Sequence, residues 1–348
     1  MGKVETLPNS FAARPATQAD VVGIAALLNA RSMDVLGTRA ADPARLRVPA
    51  EAVVVCIAEA QIVGYAQLSS HGLYLSSSMQ GAVQPEFRGR GIGTYLLSWA
   101  ERQARRWLPQ APEGARVVLH SDNVFSTDYP ARDLFVMHGF VPVRQFIHLQ
   151  TALTEPPPEP VWPEGVRVET VRPDHWPTLG PALEEAFEDH WAVVSDVALA
   201  ELGIQEEVTE EGKGEREDED DGPSAEDKLY FNTPGLCFVA LAGDDVVGSC
   251  LCNAKTVEFP DTGYIGSLSV RRPWRRQGVG LALTYHTLAE FYRRGINHVH
   301  TDTDANSFTN APRLYLKAGF RTFRQEDVYE KELRPGYDLL RQVADPNQ

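Results

Sequence analysis

The sequence predicts an α/β (α+β) chain made of two tandem domains on one plan. Three observations carry this. Landmarks recur in the same order in both halves, a proline-rich spacer separates the halves, and each half runs helix, strands, glycine loop, helix, strand, helix, strand. Arg14-Pro15-Ala16-Thr17 opens the first half as Arg172-Pro173-Asp174-His175 opens the second. Val63-Gly64-Tyr65-Ala66 corresponds to Val247-Gly248-Ser249-Cys250, Arg88-Gly89-Arg90-Gly91-Ile92-Gly93 to Arg275-Arg276-Gln277-Gly278-Val279-Gly280, and His138-Gly139-Phe140 to Ala318-Gly319-Phe320. The spacer TEPPPEPVWPEG spans residues 154–165, and its prolines favour a semi-rigid linker. The expected domains are therefore 1–153 and 166–348.

The elements follow in order. Gly23–Ala30 and Leu179–Phe187 have helical composition. Val53–Ala58 and Cys237–Ala242 read as strands, continued by Val63–Ser69 and Val246–Asn253 in hairpins. After each glycine loop a helical period appears: Ile92, Tyr95, Leu96 and Trp99, then Leu281, Tyr285, Leu288 and Tyr292. Val117–His120 and His298–Thr303 are short β-rich runs.

Composition narrows the function. Of 348 residues, 43% are hydrophobic and 23% charged, which excludes wholesale disorder. No apolar run approaches the ~18 residues of a membrane span. Met1-Gly2-Lys3-Val4-Glu5-Thr6 fits the loose myristoylation pattern, but no second membrane signal accompanies it. Net charge is −15, and the stretch 205–227 carries twelve acidic and two basic residues, hence −10 of it. A near-neutral fold with an acidic insert is a poor nucleic-acid binder. Four cysteines are too few for a disulfide scaffold, and no paired ligand spacing points to a metal, so a cytoplasmic protein with reduced thiols is expected.

The glycine loops are the chemical signal. A loop that leaves a strand and opens a helix presents unpaired N–H groups and partial positive charge to a pyrophosphate. Glycines let the backbone approach the ligand, and arginines add charge. Neither loop has G-x-G-x-x-G spacing or the Gly-Lys-Ser/Thr end of a P-loop.

Both loops instead fit R-x-x-G-x-G after an apolar strand, and here the chain closely resembles the GNAT (GCN5-related N-acetyltransferase) superfamily. Val83-x-Pro85-x-x-Arg88-Gly89-x-Gly91-x-Gly93 has the family's usual form. Val270-Arg271-Arg272-Pro273-Trp274-Arg275 keeps the valine-to-arginine spacing and moves the proline one place. The later family element appears as Asn310-Ala311-Pro312-Arg313-Leu314-Tyr315-Leu316-Lys317-Ala318-Gly319-Phe320. The resemblance covers nearly the whole chain twice and implies, in each domain, a mixed, mostly antiparallel central sheet flanked by helices.

It also implies acetyl-CoA as co-substrate. Arg88, Gly89, Arg90, Gly91, Ile92 and Gly93, and Arg275, Arg276, Gln277, Gly278, Val279 and Gly280, would hold the pyrophosphate. Backbone N–H groups near Gly81 and Val83, and near Leu268 and Val270, would lie at a local break in the strand and act as an oxyanion hole. Asn306 and Asn310 either hold the cofactor by amide bonds or cap a helix. The family's thiolate-protonating tyrosine falls at Tyr315 in the second half and at Phe135 in the first, with Tyr129 as a substitute there. The expected reaction is therefore acetyl transfer to a small primary amine by the C-terminal domain, with a silent first domain. Glu258 is the first candidate for general base, with Asp302, Asp304 and a water chain as alternatives. Glu188-Asp189-His190-Trp191 looks like part of an acceptor pocket in tandem acetyltransferases of the mycothiol synthase kind. Acetylation of a cysteinyl-sugar amine, as the mycothiol synthase resemblance implies, and an acyl-CoA sensor with no turnover are the competing expectations. A monomer or homodimer is expected, without metal, membrane or nucleic-acid partners.

Overall fold

The computed structural model describes residues 7–8, 10–57, 61–71, 73–188, 233 and 235–339. The acidic insert 205–227, the stretch Asp189-His190-Trp191 and the N-terminal Met1–Thr6 motif lie outside the described residues. Two compact units emerge. The first comprises Met1–Phe146, Val257–Phe259 and Arg324–Asp338, and the second Ile147–Thr256, Pro260–Phe323 and Leu339–Gln348. Residues 153–165 carry no helix or strand.

In the first unit the order is β1 (Ala12–Pro15), α1 (Val21–Leu36), β2 (Ala52–Ile57), β3 (Gln61–His71), β4 (Ser76–Val83), α2 (Ile92–Trp107), β5 (Val117–Phe125), α3 (Tyr129–Met137) and the start of β6 (Val141–Ala152). β1 to β4 pair antiparallel in sequence order, and β4 pairs parallel with β5. The valine run of β2 suits a strand covered on both faces. Gly37 ends α1 in the left-handed region at φ 72°, its N–H bonded to the Met33 carbonyl oxygen. Ile92, Leu96, Trp99 and Ala100 bury one stripe of α2 against Val63, Leu68 and Leu119 of the sheet. α1 covers the other face through Ile24 and Leu27 on Val54 and Tyr65. The unit's sheet continues past β5 with the last of the described strands, whose Glu326–Arg334 pairs antiparallel with Phe125–Val117.

The second unit repeats the plan with β7 (Val166–Thr170), α4 (Trp176–Phe187), β8 (Phe238–Ala242), β9 (Asp245–Asn253), β10 (Gly263–Val270), α5 (Val279–Arg293), β11 (His298–Asp304), α6 (Ala311–Lys317) and the start of β12 (Arg321–Arg334). β7 to β10 pair antiparallel, β10 and β11 parallel. Beyond β11 lies β6, whose second half belongs to this unit. α5 and α6 cover one face through Val279, Leu283, Phe291 and Tyr315, and α4 covers the other through Leu179 and Ala182. Both units have the mixed, mostly antiparallel sheet flanked by helices that the resemblance implied.

Candidate active site

The two glycine loops have the same geometry. Each strand ends in a valine, a one-turn 3-10 helix follows (Pro85–Phe87, Arg272–Trp274), and a glycine caps the next helix. Gly91 has φ 79° and Gly278 φ 96°, and among the described residues nothing lies within 4 Å of where a Cβ would stand on either. The N-terminal turns of α2 and α5 are thus open to an approaching anion. The first loop has Gly89 at φ 72°, whereas the matching residue of the second is Arg276 at φ 63°, a conformation L side chains rarely adopt.

The motif arginines are engaged by the protein itself. Arg88 pairs with Asp34 at 2.5 Å. Arg275 donates to the carbonyl oxygens of Val270 at 3.1 Å and Ala186 at 3.0 Å, its guanidinium 5.2 Å from the Phe308 ring centroid. Gln277 and Arg90 bond back to the 3-10 turns, at Pro273 and Glu86. These side chains brace the loops.

The strands leading to the loops are split from their parallel neighbours. β10 pairs with β11 only at Gly263, Tyr264 and Ile265, opposite Val299, His300 and Thr301, and β4 with β5 only at Ser76, Ser77 and Ser78. Arg271 N–H bonds the Val247 carbonyl oxygen and Gln84 N–H that of Val63. Antiparallel ladders alternate, so Leu268 and Val270, like Gly81 and Val83, turn their backbone groups away from β9 and β3 toward the split.

One feature distinguishes the units. β10 shifts register against β9 between Ile265 and Ser267, with Gly266 the extra residue, whereas β4 pairs with β3 without interruption from His71–Ser76 to Gly64–Val83. The break expected near Leu268 and Val270 therefore lies at Gly266, and none exists near Gly81 and Val83. Leu268 and Val270 themselves stand in regular register with Cys250 and Gly248.

Tyr315 sits at the apex of the second split. It is 4% exposed, on α6, with its ring edge-on to Phe320 at 5.5 Å. Its phenol is hydrogen-bonded with the Thr301 side chain, and burial raises it well above the ordinary tyrosine value, so it stays protonated. Thr301 in turn donates to the Ile265 carbonyl oxygen at 2.8 Å, on the rung where the strands part. In the first unit Phe135, 7% exposed, stacks on Tyr329 at 5.6 Å, and Tyr129 is 66% exposed at the start of α3.

Glu258, the first candidate for general base, falls in the first unit, and Tyr315 in the second. Glu258 packs in the first unit, where its carboxylate accepts from Thr38 at 2.8 Å and pairs with Arg324 at 2.5 Å. Asp304 is buried and accepts from the Asn306 N–H at 2.8 Å, a turn-closing bond. Asn306 and Asn310 are exposed, and Asn310 caps α6 at φ 57°. Glu188 pairs with Arg272 at 3.4 Å. Sequence reasoning missed Thr301, which nothing in its surroundings flags, and Gly266, for which a glycine inside an apolar strand was the available signal.

Comparison with known proteins agrees with this geometry. The sequence model of the acetyltransferase (GNAT) family matches residues 202–320, and that of the acetyltransferase (GNAT) domain matches 49–142. A mycothiol acetyltransferase of Streptomyces scabiei is 27% identical over 272 residues, 78% of this chain and 77% of that protein. The crystal structure of a GCN5-related N-acetyltransferase from Sphaerobacter thermophilus is 32% identical with TM-score 0.71, covering 96% of this chain and 99% of that one. A tandem GNAT protein from the clavulanic acid biosynthesis pathway shares the fold at 17% identity, TM-score 0.62, covering 94% of this chain and 100% of its own. With matching motifs in both halves and a full-length relative of known fold, the chain belongs to the acetyltransferase (GNAT) family, with one GNAT domain in each half.

Proposed function

We propose that this acetyltransferase moves the acetyl group of acetyl-CoA to a primary amine of a small molecule, by direct attack in a ternary complex, and that the second domain performs the chemistry. The observation behind this reading is an asymmetry at the two splits. The second has the register break at Gly266 and the Tyr315 phenol; the first has an unbroken β4 and Phe135.

The loop residues fit the co-substrate, since Gly278 leaves the start of α5 open on its outer side. Acetyl-CoA supplies an activated thioester. The loop Arg275 to Gly280 would hold its pyrophosphate by backbone N–H groups at the α5 terminus. Leu268 and Val270 would offer main-chain groups to the extended arm and to the acetyl carbonyl oxygen. A C–N bond forms as the C–S bond breaks, and Tyr315 gives its proton to the departing sulfur. Solvent takes the proton that the amine loses and returns one to Tyr315.

A second acceptor reading, the amine of a cysteinyl sugar, is favoured by the mycothiol acetyltransferase relatives; loss of one thiol from the host's thiol profile on gene deletion would support it. A sensor without turnover is separated by acetyl-CoA consumption with an amine panel. Calorimetric titration with acetyl-CoA tests the shared premise. One or two sites support it, Gly278→Glu or Gly91→Glu assigning each, and absence of binding overturns it.

A further inference from the structure

The second split carries chemistry on both faces of its sheet. Thr301 turns toward Tyr315, so alternation along β11 turns His300 and Asp302 to the opposite face. There Tyr264 stacks on His300, ring centroids 4.7 Å apart, and its hydroxyl donates to Asp302 Oδ1 at 2.5 Å. Tyr264 and His300 form the rung before the last paired one, and Asp302 is the first residue of β11 beyond it. Asp302 is exposed, and its charge reaches the Tyr315 phenol.

Its charge is also unmatched. Among the described residues no Lys or Arg pairs with Asp302, whereas Glu185, Glu258 and Glu290 each hold an arginine. An ionised carboxylate fixed by one neutral O–H keeps its negative charge and several acceptor sites. In a ternary complex the co-substrate and the acceptor must enter by different routes. The Tyr315 face is covered by α5, which the glycine loop opens, and Asp302 stands on the other face.

We propose that Asp302, oriented by Tyr264, docks the ammonium group of the acceptor, so that the acceptor enters as a cationic primary amine. This rests on the acetyl-transfer reading above. The experiment is saturation-transfer NMR on the full chain with CoA present, using benzylammonium, cyclohexylammonium and butane-1,4-diammonium as probes and benzyl alcohol as the neutral control. Wild type is expected to bind the ammonium probes. Asp302→Asn should weaken them at least about tenfold and Asp302→Glu should restore part of the loss, with benzyl alcohol unaffected. Tyr264→Phe, which keeps the charge but frees it, should weaken them a few-fold and serves if Asp302→Asn does not fold. Equal binding to wild type and to the variant examined, or no ammonium binding to wild type, overturns the proposal. Acetyl-CoA consumption in parallel samples reports separately on the transfer reading. Charge-dependent docking without consumption would fault that reading alone, and consumption with unchanged docking would fault this one alone.

Discussion

Thr301 links the Tyr315 phenol to the Ile265 carbonyl oxygen, so this buried hydroxyl is fixed to the backbone rung where the sheet divides. A hydroxyl held this way has its position set by the sheet as well as by its own short helix. Removing the hydroxyl by Tyr315→Phe should lower kcat by about 10²- to 10⁴-fold while acetyl-CoA affinity stays within a factor of about two. Steady-state kinetics beside calorimetry checks it, and an unchanged kcat would remove Tyr315 from the mechanism.

The converse exchange should fail. Phe135→Tyr restores a hydroxyl to the first domain but not the register break that β4 lacks. In a Tyr315→Phe background, no turnover should return. Recovered activity would show that the break in β10 is dispensable.

Arg276 holds a left-handed conformation where its counterpart is Gly89. Arg276→Gly should raise stability by about 1 kcal/mol, seen as a higher urea midpoint, because glycine adopts this φ without strain. A lower midpoint would mean that the side chain contributes more than its backbone costs.

Gly263 faces the Phe291 ring so closely that an added Cβ would stand 2.5 Å from it. Phe291 is fully buried in the core of the second unit. Gly263→Ala should therefore cost about 1–3 kcal/mol by overpacking, measured by denaturant unfolding, and Phe291→Leu should relieve part of that in the double variant.

Acid should weaken the same unit. Arg293 and then Arg294 hydrogen-bond the Glu290 carboxylate and hold its pKa at about 2 against an ordinary 4.5. The folded value is the lower one, so the contribution is complete above about 4.5 and lost as pH falls toward about 2. Because Arg293 is largely exposed, solvent screening limits the effect to roughly 1 kcal/mol. Unfolding midpoints of wild type and Glu290→Gln should converge across that window; a constant gap would refute the assignment.

The parts legible in the sequence are those that local chemistry dictates. Gly91 and Gly278 stand where the chain needs positive φ, Val53, Val54, Val55 and Ile57 are β-branched, and the apolar stripe of α2 repeats at helical spacing, so loops, strands and repeat could all be read. The illegible parts depend on partners far along the chain. Glu258 meets Arg324 across 66 residues, and no spacing rule announces that pair. The register break turns on which residue of β9 faces Gly266, a pairing choice that leaves only a glycine as its trace. The strand beside β5 comes from Glu326–Arg334, more than two hundred residues after the strand it completes.

That last pairing bears on synthesis. As the polypeptide leaves the ribosome, β1 to β5 emerge early, but the hydrogen-bonding edge of β5 stays uncovered until the closing residues follow. Until residues 326–334 have been made, the first domain thus carries an unpaired strand margin. It also means that cutting the gene at the proline-rich spacer yields an N-terminal fragment without its own closing strand, prone to pair with neighbouring copies instead.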